Sequence, residues 1–481
     1  MEYLRYLTSL LWATPTEPDS ESDTSNALRY ILAPDLPLPE IALQRLIECY
    51  GGSWPPEPTF KSSWPAPLQG YESTYNVVAP FLPVLNSSHD DAENRVAIDS
   101  MRGRISGLLA GSAIYKDFDD PGQCAVDLRA VQATLQQVED GCWPGHTAQS
   151  MCNAMIGFCA CLSFLRHSFR WGISPIVREA QIEKTVVMPP QLDIPWAFCQ
   201  RYFGFTSAGG SVFTTGHSNT WGSKGQYRPY YSTVVGLPEA YQRTSHWAIR
   251  LFTEMELKSL PAYRMFASAI TSCMLLTDES PRVAASTLKE TNATLVPAFR
   301  WFFDNFNETN MAREIWLPYV QGFTGWTLEG PDGVVVDGVS GGQSLAIRTF
   351  DAFLGTGVVP PPEIEMLHIP KAQRDWLNSL RDYNIRKRVD DVISHYKARN
   401  NVVKADEWEK VRDELNGLVR QLRLWRMGHM RRMMTYESLS RPERVRMTAG
   451  ISLPPGEIPN TEETMMEHLK EVLREKLAAT K

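Results

Sequence analysis

The sequence lacks a CxxC pair with the spacing of a zinc site: its eight cysteines, at positions 49, 124, 142, 152, 159, 161, 199 and 273, are scattered, which argues for reduced thiols in a core. Cys159 and Cys161 sit in the apolar stretch 155–165, where a thiol behaves as a small hydrophobe. Basic surplus is also missing. The formal net charge is -7, and phosphate recognition needs a concentrated basic face, so nucleic acid is not expected as a partner and a small molecule is. The apolar run from Tyr6 to Ala13 is too brief to span a bilayer and has no basic start or cleavage site. A cytoplasmic protein with no membrane partner is the expectation. Strand-like alternation is scarce and no internal repeat is found.

What is present is a folding composition, with 43% hydrophobic and 21% charged residues. A chain of 481 residues exceeds the size at which one core usually stops growing. Two domains are expected, a smaller one over residues 1–235 and a larger one over 236–481. Residues 14–26 are polar and acidic and read as a flexible surface segment. The Trp/Pro-rich stretch from Trp54 to Pro67 reads as ordered coil. Apolar residues at spacings of three and four predict two helices over 91–139, then helices over 149–170, 193–202, 245–276, 282–306, 310–322, 342–354 and 371–395. The Gly- and Ser-rich segment 204–231 predicts a structured loop, and 462–479 a solvent-facing amphipathic helix. The fold class is mostly α.

Two features carry chemistry. Between Glu407 and Ser438, the residues Trp408, Val411, Leu415, Leu418, Leu422, Trp425, His429 and Met433 recur at helical spacing, which places His429 on the buried stripe of one long helix. Such a histidine is either a hydrogen-bonded core residue or a metal ligand. Arg426 and Arg432, about a turn to either side, are suited to pair with haem propionates. The second feature is the Gly-rich run Ser340-Gly341-Gly342-Gln343-Ser344 before a helix, which either presents backbone donors to a ligand or is an ordinary loop with a serine cap. It lacks the lysine of a P-loop and the spacing of a dinucleotide fingerprint.

These stretches, followed by Phe350-Asp351-Ala352-Phe353-Leu354-Gly355, Ile369-Pro370 through Trp376-Leu377, and Leu424 through His429, resemble in order and spacing the C-terminal half of the indoleamine 2,3-dioxygenases. Upstream, Leu192 through Trp221 and Ser245 through Glu256 are similar to that family's distal segments, so the resemblance covers residues 190–481. It implies a two-domain, all-helical haem dioxygenase-like fold whose larger C-terminal domain holds haem b. It implies His429 as the proximal iron ligand, Arg426 as a propionate partner and Asp351 as the carboxylate steadying that arginine. Ser340, Gly341 and Gly342 would lie beside the haem, with Ser340 near the substrate. Phe213, His217, Ala248 and Phe252 would line the substrate pocket.

The departures bear on the substrate. Leu317 stands where the family has the arginine that binds an amino-acid carboxylate, and losing such a partner costs about 2–5 kcal/mol; Arg313 is a possible substitute from a turn away. Ala248 replaces an aromatic residue, which enlarges the pocket. The family's mobile glycine loop appears as Asn460 through Thr464, without glycine. His217 replaces an apolar residue and is either a proton shuttle facing bound oxygen or a loop histidine facing solvent; His246 is read as a helix cap. The expected function is haem-dependent oxygenation of an indole or tryptophan-derived compound by O2, at the C2–C3 bond. Oxidative rearrangement of an indole, a non-catalytic haem sensor and a cofactor-free interaction protein stay open, as does the oligomeric state.

Overall fold

The computed structural model describes residues 22–33, 35–48, 54, 64–85, 88, 90–112, 124–142, 147–177, 179–180, 183, 186–324, 339, 341–358, 360, 362–437 and 462–481. The chain is mostly helical. Its principal helices are α1 (Ser22–Leu32), α2 (Pro39–Ile47), α3 (Ala66–Val78), α4 (Asp91–Leu109), α5 (Leu128–Glu139), α6 (Ala148–Trp171), α7 (Pro190–Phe203), α8 (Glu239–Met274), α9 (Ser280–Asn305), α10 (Leu345–Leu354), α11 (Pro362–His368), α12 (Lys371–Tyr383), α13 (Ile385–Ala398), α14 (Val402–Glu437) and α15 (Glu462–Ala479). Among the described residues, strand is confined to an antiparallel pair, Thr220–Trp221 with Arg228–Pro229.

Local chemistry explains several boundaries. Asp90 and Asp127 accept backbone N–H bonds at the starts of α4 and α5, and Thr147 forms a capping box with Ser150 at the start of α6. The run expected as one helix over 371–395 is two, because Asn384 adopts φ +50 and ends α12 before α13 begins. The tail of the Trp/Pro-rich stretch is helical rather than coil: Pro67 lies in the first turn of α3, where its missing N–H has no helical partner to lose. Residues 22–26, expected in a flexible segment, belong to α1. The expected helix over 310–322 is instead a short turn, Arg313–Ile315, followed by a π-helix, Trp316–Gln321.

Two apolar clusters result. One is built from residues 64–235 of α3 to α7 and the following loop, with Phe323. The other is built on α8, α9, α10, α12, α13 and α14. Leu32, Leu43, Leu46 and Trp54 pack into this second cluster, across the division expected at residue 235. By length and composition α6 would suffice to cross a membrane, but 72% of its apolar window is buried within the fold. Arg166 and Arg170 on it are buried and donate to backbone carbonyls. Six of the described cysteines are buried and Cys142 is exposed, all as free thiols.

Glu256, fully buried on α8, ties the second cluster together. One of its oxygens accepts from Trp54 Nε1 at 2.8 Å and Tyr263 Oη at 3.0 Å. The other accepts from Ser344 Oγ at 2.7 Å and the Ala346 N–H at 3.0 Å. Four donors share one carboxylate, and the start of α10 is capped from another helix rather than by Ser344. Glu256→Ala leaves those donors unsatisfied, and the expected loss is about 3 kcal/mol of unfolding free energy, measured as a lowered urea midpoint. An unchanged midpoint would contradict this account of the core.

Buried histidines give the fold a pH dependence. Burial, with Arg348 nearby, pushes His368 down to about 4, and its Nδ1 has no hydrogen-bond partner. Its unfolded value is about 6.5, so below that pH the unfolded chain binds a proton that the folded one refuses. The corresponding stability is complete above about pH 6.5 and is lost as pH falls toward 4. His368→Gln is expected to flatten the stability profile across this window; an unchanged slope counts against it.

Candidate functional site

A cleft with a volume of about 160 Å³ opens between α8, α9, α10, α14 and α15. Its walls are mainly apolar. Ala248, Leu251, Phe252 and Met255 come from successive turns of α8, and Phe302 and Phe306 from α9 and its end. Trp425, His429 and Met433 come from α14. Trp408, Val411, Leu415, Leu418, Leu422 and Trp425 are all buried, as helical spacing demands, and the same stripe carries His429 to the edge of the cleft.

His429 stacks on Trp425, with ring centroids 5.0 Å apart and planes at 13°. Burial first, then Lys476 and Arg426, pushes it down to about 4. It is therefore neutral at pH 7, the form that ligates metals. Gly341 keeps the approach to it clear. A Cβ on Gly341 would lie 3.9 Å from His429 Nε2 and 3.8 Å from Phe252 Cε1, filling space between the two rings. Among the described residues no group of three or more His, Cys, Asp or Glu side chains could hold a metal ion.

Charge is concentrated on part of the wall. Arg426 Nη2 contacts both oxygens of Asp351, at 2.7 and 2.6 Å, and both side chains are buried. Burial raises the Asp351 carboxyl, against the pull of Arg426, Thr356 and Arg348. Arg348 and Lys476 line the same region, so three cations share one carboxylate there. Burial lowers both Arg348 and Lys476, with Asp351 opposing the shift. Arg348 Nε is buried without a hydrogen-bond partner. Arg426 is buried and Arg348 and Lys476 are half-buried, and this excess of positive charge fits an anionic ligand.

The sequence missed Lys476. Helix α15 is not simply solvent-facing: it packs against α14, brings Leu473 and Lys476 to the cleft, and is followed by Thr480, whose hydroxyl accepts from Arg426 Nη1. The signal available was Leu473 and Lys476 three residues apart on an amphipathic helix, which solvent exposure also explains. Arg348 sits on α10 three residues before Asp351, a spacing that puts both on one face.

The other expected positions divide. Ala248, Phe252, Gly341, Gly342, Asp351, Arg426 and His429 come together on the cleft. Phe213 is not on its wall; it packs against Phe203 and Phe205 in the first apolar cluster, at centroid distances of 5.0 and 5.8 Å. His217 is also off the wall. Rather than facing solvent it is 2% exposed, both ring nitrogens lack hydrogen-bond partners, and burial lowers its pKa against the field of Glu256. It follows a π-helical turn, Val212–Gly216, that the expected loop did not anticipate. The Val212 N–H donates to Gln343 Oε1 at 3.0 Å, which joins that turn to the Gly-rich run.

Arg432 does not approach the cations of the cleft; it donates to the Phe306 carbonyl. Arg313 pairs with Glu308 at 2.7 Å and is absent from the wall, so it does not replace the missing arginine. His246 lies within α8, well past its start, and is no cap. Ser340 lies outside the described residues, as do Asn460 and Thr461; Leu317 falls on the π-helix Trp316–Gln321. Compared with known proteins, the chain matches no family model and no curated protein.

A half-buried cation set beside two others destabilises an empty site while attracting an anionic ligand. Lys476→Met is therefore expected to leave the thermal midpoint of the ligand-free protein unchanged or raised, and to weaken binding of metal-free protoporphyrin, read by fluorescence, by about tenfold. A lowered midpoint with unchanged porphyrin affinity would assign Lys476 to structure alone.

Proposed function

We propose that this chain is a haem-dependent oxygenase acting on an indole or tryptophan-derived small molecule, with haem b in the cleft of the larger of two helical domains and His429 as the axial ligand. The observation that carries the reading is one neutral imidazole facing a mainly apolar cleft, part of whose wall carries an excess of cations, Arg426 buried and Arg348 and Lys476 half-buried. The residues present fit haem. His429 would meet the iron, Arg348, Arg426 and Lys476 would take the propionates, and the gap left open by Gly341 would receive the flat macrocycle. The bound haem would supply the oxygen chemistry.

The protein's own part is binding, orientation and exclusion of water. Asp351 fixes the Arg426 guanidinium, and Glu256 fixes the start of α10 and with it the Gly-rich run. Trp425 holds the plane of the His429 ring. Phe252, Leu251, Met255 and Phe302 offer apolar contact to an aromatic ring. The resemblance in motif order points to oxygen insertion at the indole C2–C3 bond. Oxidative rearrangement of the ring requires the same binding groups.

One observation favours a second reading, non-catalytic haem binding. His217, the side chain expected to move a proton beside bound oxygen, is off the cleft wall, so the described walls offer no imidazole for that task besides His429. The test is hemin titration followed by absorption spectroscopy, then oxygen uptake with a panel of indoles under reducing conditions. The expected result is a Soret band with imidazole-ligand character, lost in His429→Ala, and oxygen uptake with at least one uncharged indole. A Soret band without uptake supports the non-catalytic reading. A protein that takes up no hemin, or an unaltered spectrum in His429→Ala, overturns the haem assignment.

A further inference from the structure

Behind the cleft lies a second, smaller cavity of about 60 Å³, lined by α6, α8 and the segments 215–233 and 320–324. Ala248 and Thr324 line both spaces, so two small side chains form the wall they share. The chamber mixes apolar groups, such as Phe164, Ile249 and Phe323, with Ser163, Asn219, Tyr231 and Ser245. None of its lining residues is Asp, Glu, Lys or Arg. Its histidine, His167, is pushed down to about 4 by burial, and burial holds the Tyr231 phenol protonated.

Most of the polar groups are committed. The Asn219 side chain bonds both the N–H and the carbonyl of Tyr231, at 2.7 and 2.9 Å. Thr215 donates to the Ser211 carbonyl and Thr233 to that of Tyr319. Ser163 differs: it is 1% exposed and its hydroxyl has no hydrogen-bond partner. A buried hydroxyl left unpaired costs about 1–3 kcal/mol, which a ligand that bonds it would recover.

We infer that this chamber is a second compartment of the substrate site, and that it takes an uncharged, hydrogen-bonding extension, such as an amide or ester, of a molecule whose aromatic ring occupies the cleft. The inference rests on the proposed function for the ring's position. A carboxylate entering the chamber would lose its water and gain no counter-ion, which is strongly unfavourable. An amide or ester keeps a hydrogen bond through Ser163 and places apolar atoms against Phe164 and Ile249. The pairing of Arg313 with Glu308 agrees, since no cation on the chamber wall replaces the arginine that a free amino acid would need.

The test uses the full chain, with and without added hemin, and three probes titrated by calorimetry: indole, L-tryptophan and N-acetyl-L-tryptophanamide. The uncharged amide is expected to bind about tenfold more tightly than L-tryptophan. Ile249→Trp, which fills the chamber, should weaken the amide about tenfold and leave indole within about twofold. Ser163→Ala should weaken the amide severalfold while keeping the thermal midpoint, because the hydroxyl bonds nothing in the ligand-free protein. Equal effects on indole and amide, no effect of either variant, tighter binding of L-tryptophan, or binding of no probe each overturns the inference. Hemin uptake is read separately in the same samples. Loss of the haem reading with retained selectivity for the amide, or the reverse, separates the two claims.

Discussion

The Asp351–Arg426 pair is the interaction on which the cleft depends. A buried arginine needs a partner, and Asp351 supplies one with two short contacts to a single nitrogen. That pair joins α10 to α14, the two helices that bring the Gly-rich run and His429 to the same space. One carboxylate does not balance Arg348, Arg426 and Lys476 together. The remaining positive charge is tolerable because it lines a cleft, where water or an anionic ligand can meet it, and it makes that part of the cleft selective for acidic groups. Removing Asp351 would leave three cations against one another.

Glu256 plays the corresponding part on the other side of α10. Its four donors come from Trp54, α8 itself and the start of α10, so the N-terminal segment, one of the two longest described helices and the Gly-rich run converge on one carboxylate. Gln343 then links the run to the π-helical turn at 212–216. A hydrogen bond thus ties the turn to the Gly-rich run beside His429. Both π-helical turns lie in segments bordering the cleft or its chamber, in keeping with the frequent use of this strained geometry at functional positions.

Much of the helical pattern was legible because it rests on burial. The stripe from Trp408 to Trp425 is buried residue by residue, and its period alone sets the position of His429. Breaks set by one backbone conformation were less legible: Asn384 divides a continuous apolar period, and no period reveals a left-handed residue. Contacts between distant segments were hidden for a different reason. Lys476 looks like any surface lysine until α15 docks, and Trp54 looks like part of a coil until its indole meets Glu256, 202 residues away. Phe213 and His217 were expected on the pocket wall by position along the chain; the π-helical turn changes which way successive side chains project, and both lie elsewhere. The Arg426–Asp351 contact, by contrast, followed from motif order and is present.

A structure of the protein loaded with hemin tests the central claim most directly. The account predicts porphyrin in the cleft with its iron bonded to His429 Nε2 and its carboxylates against Arg348, Arg426 and Lys476. Porphyrin bound elsewhere, or within the cleft with iron held by another side chain, would contradict it.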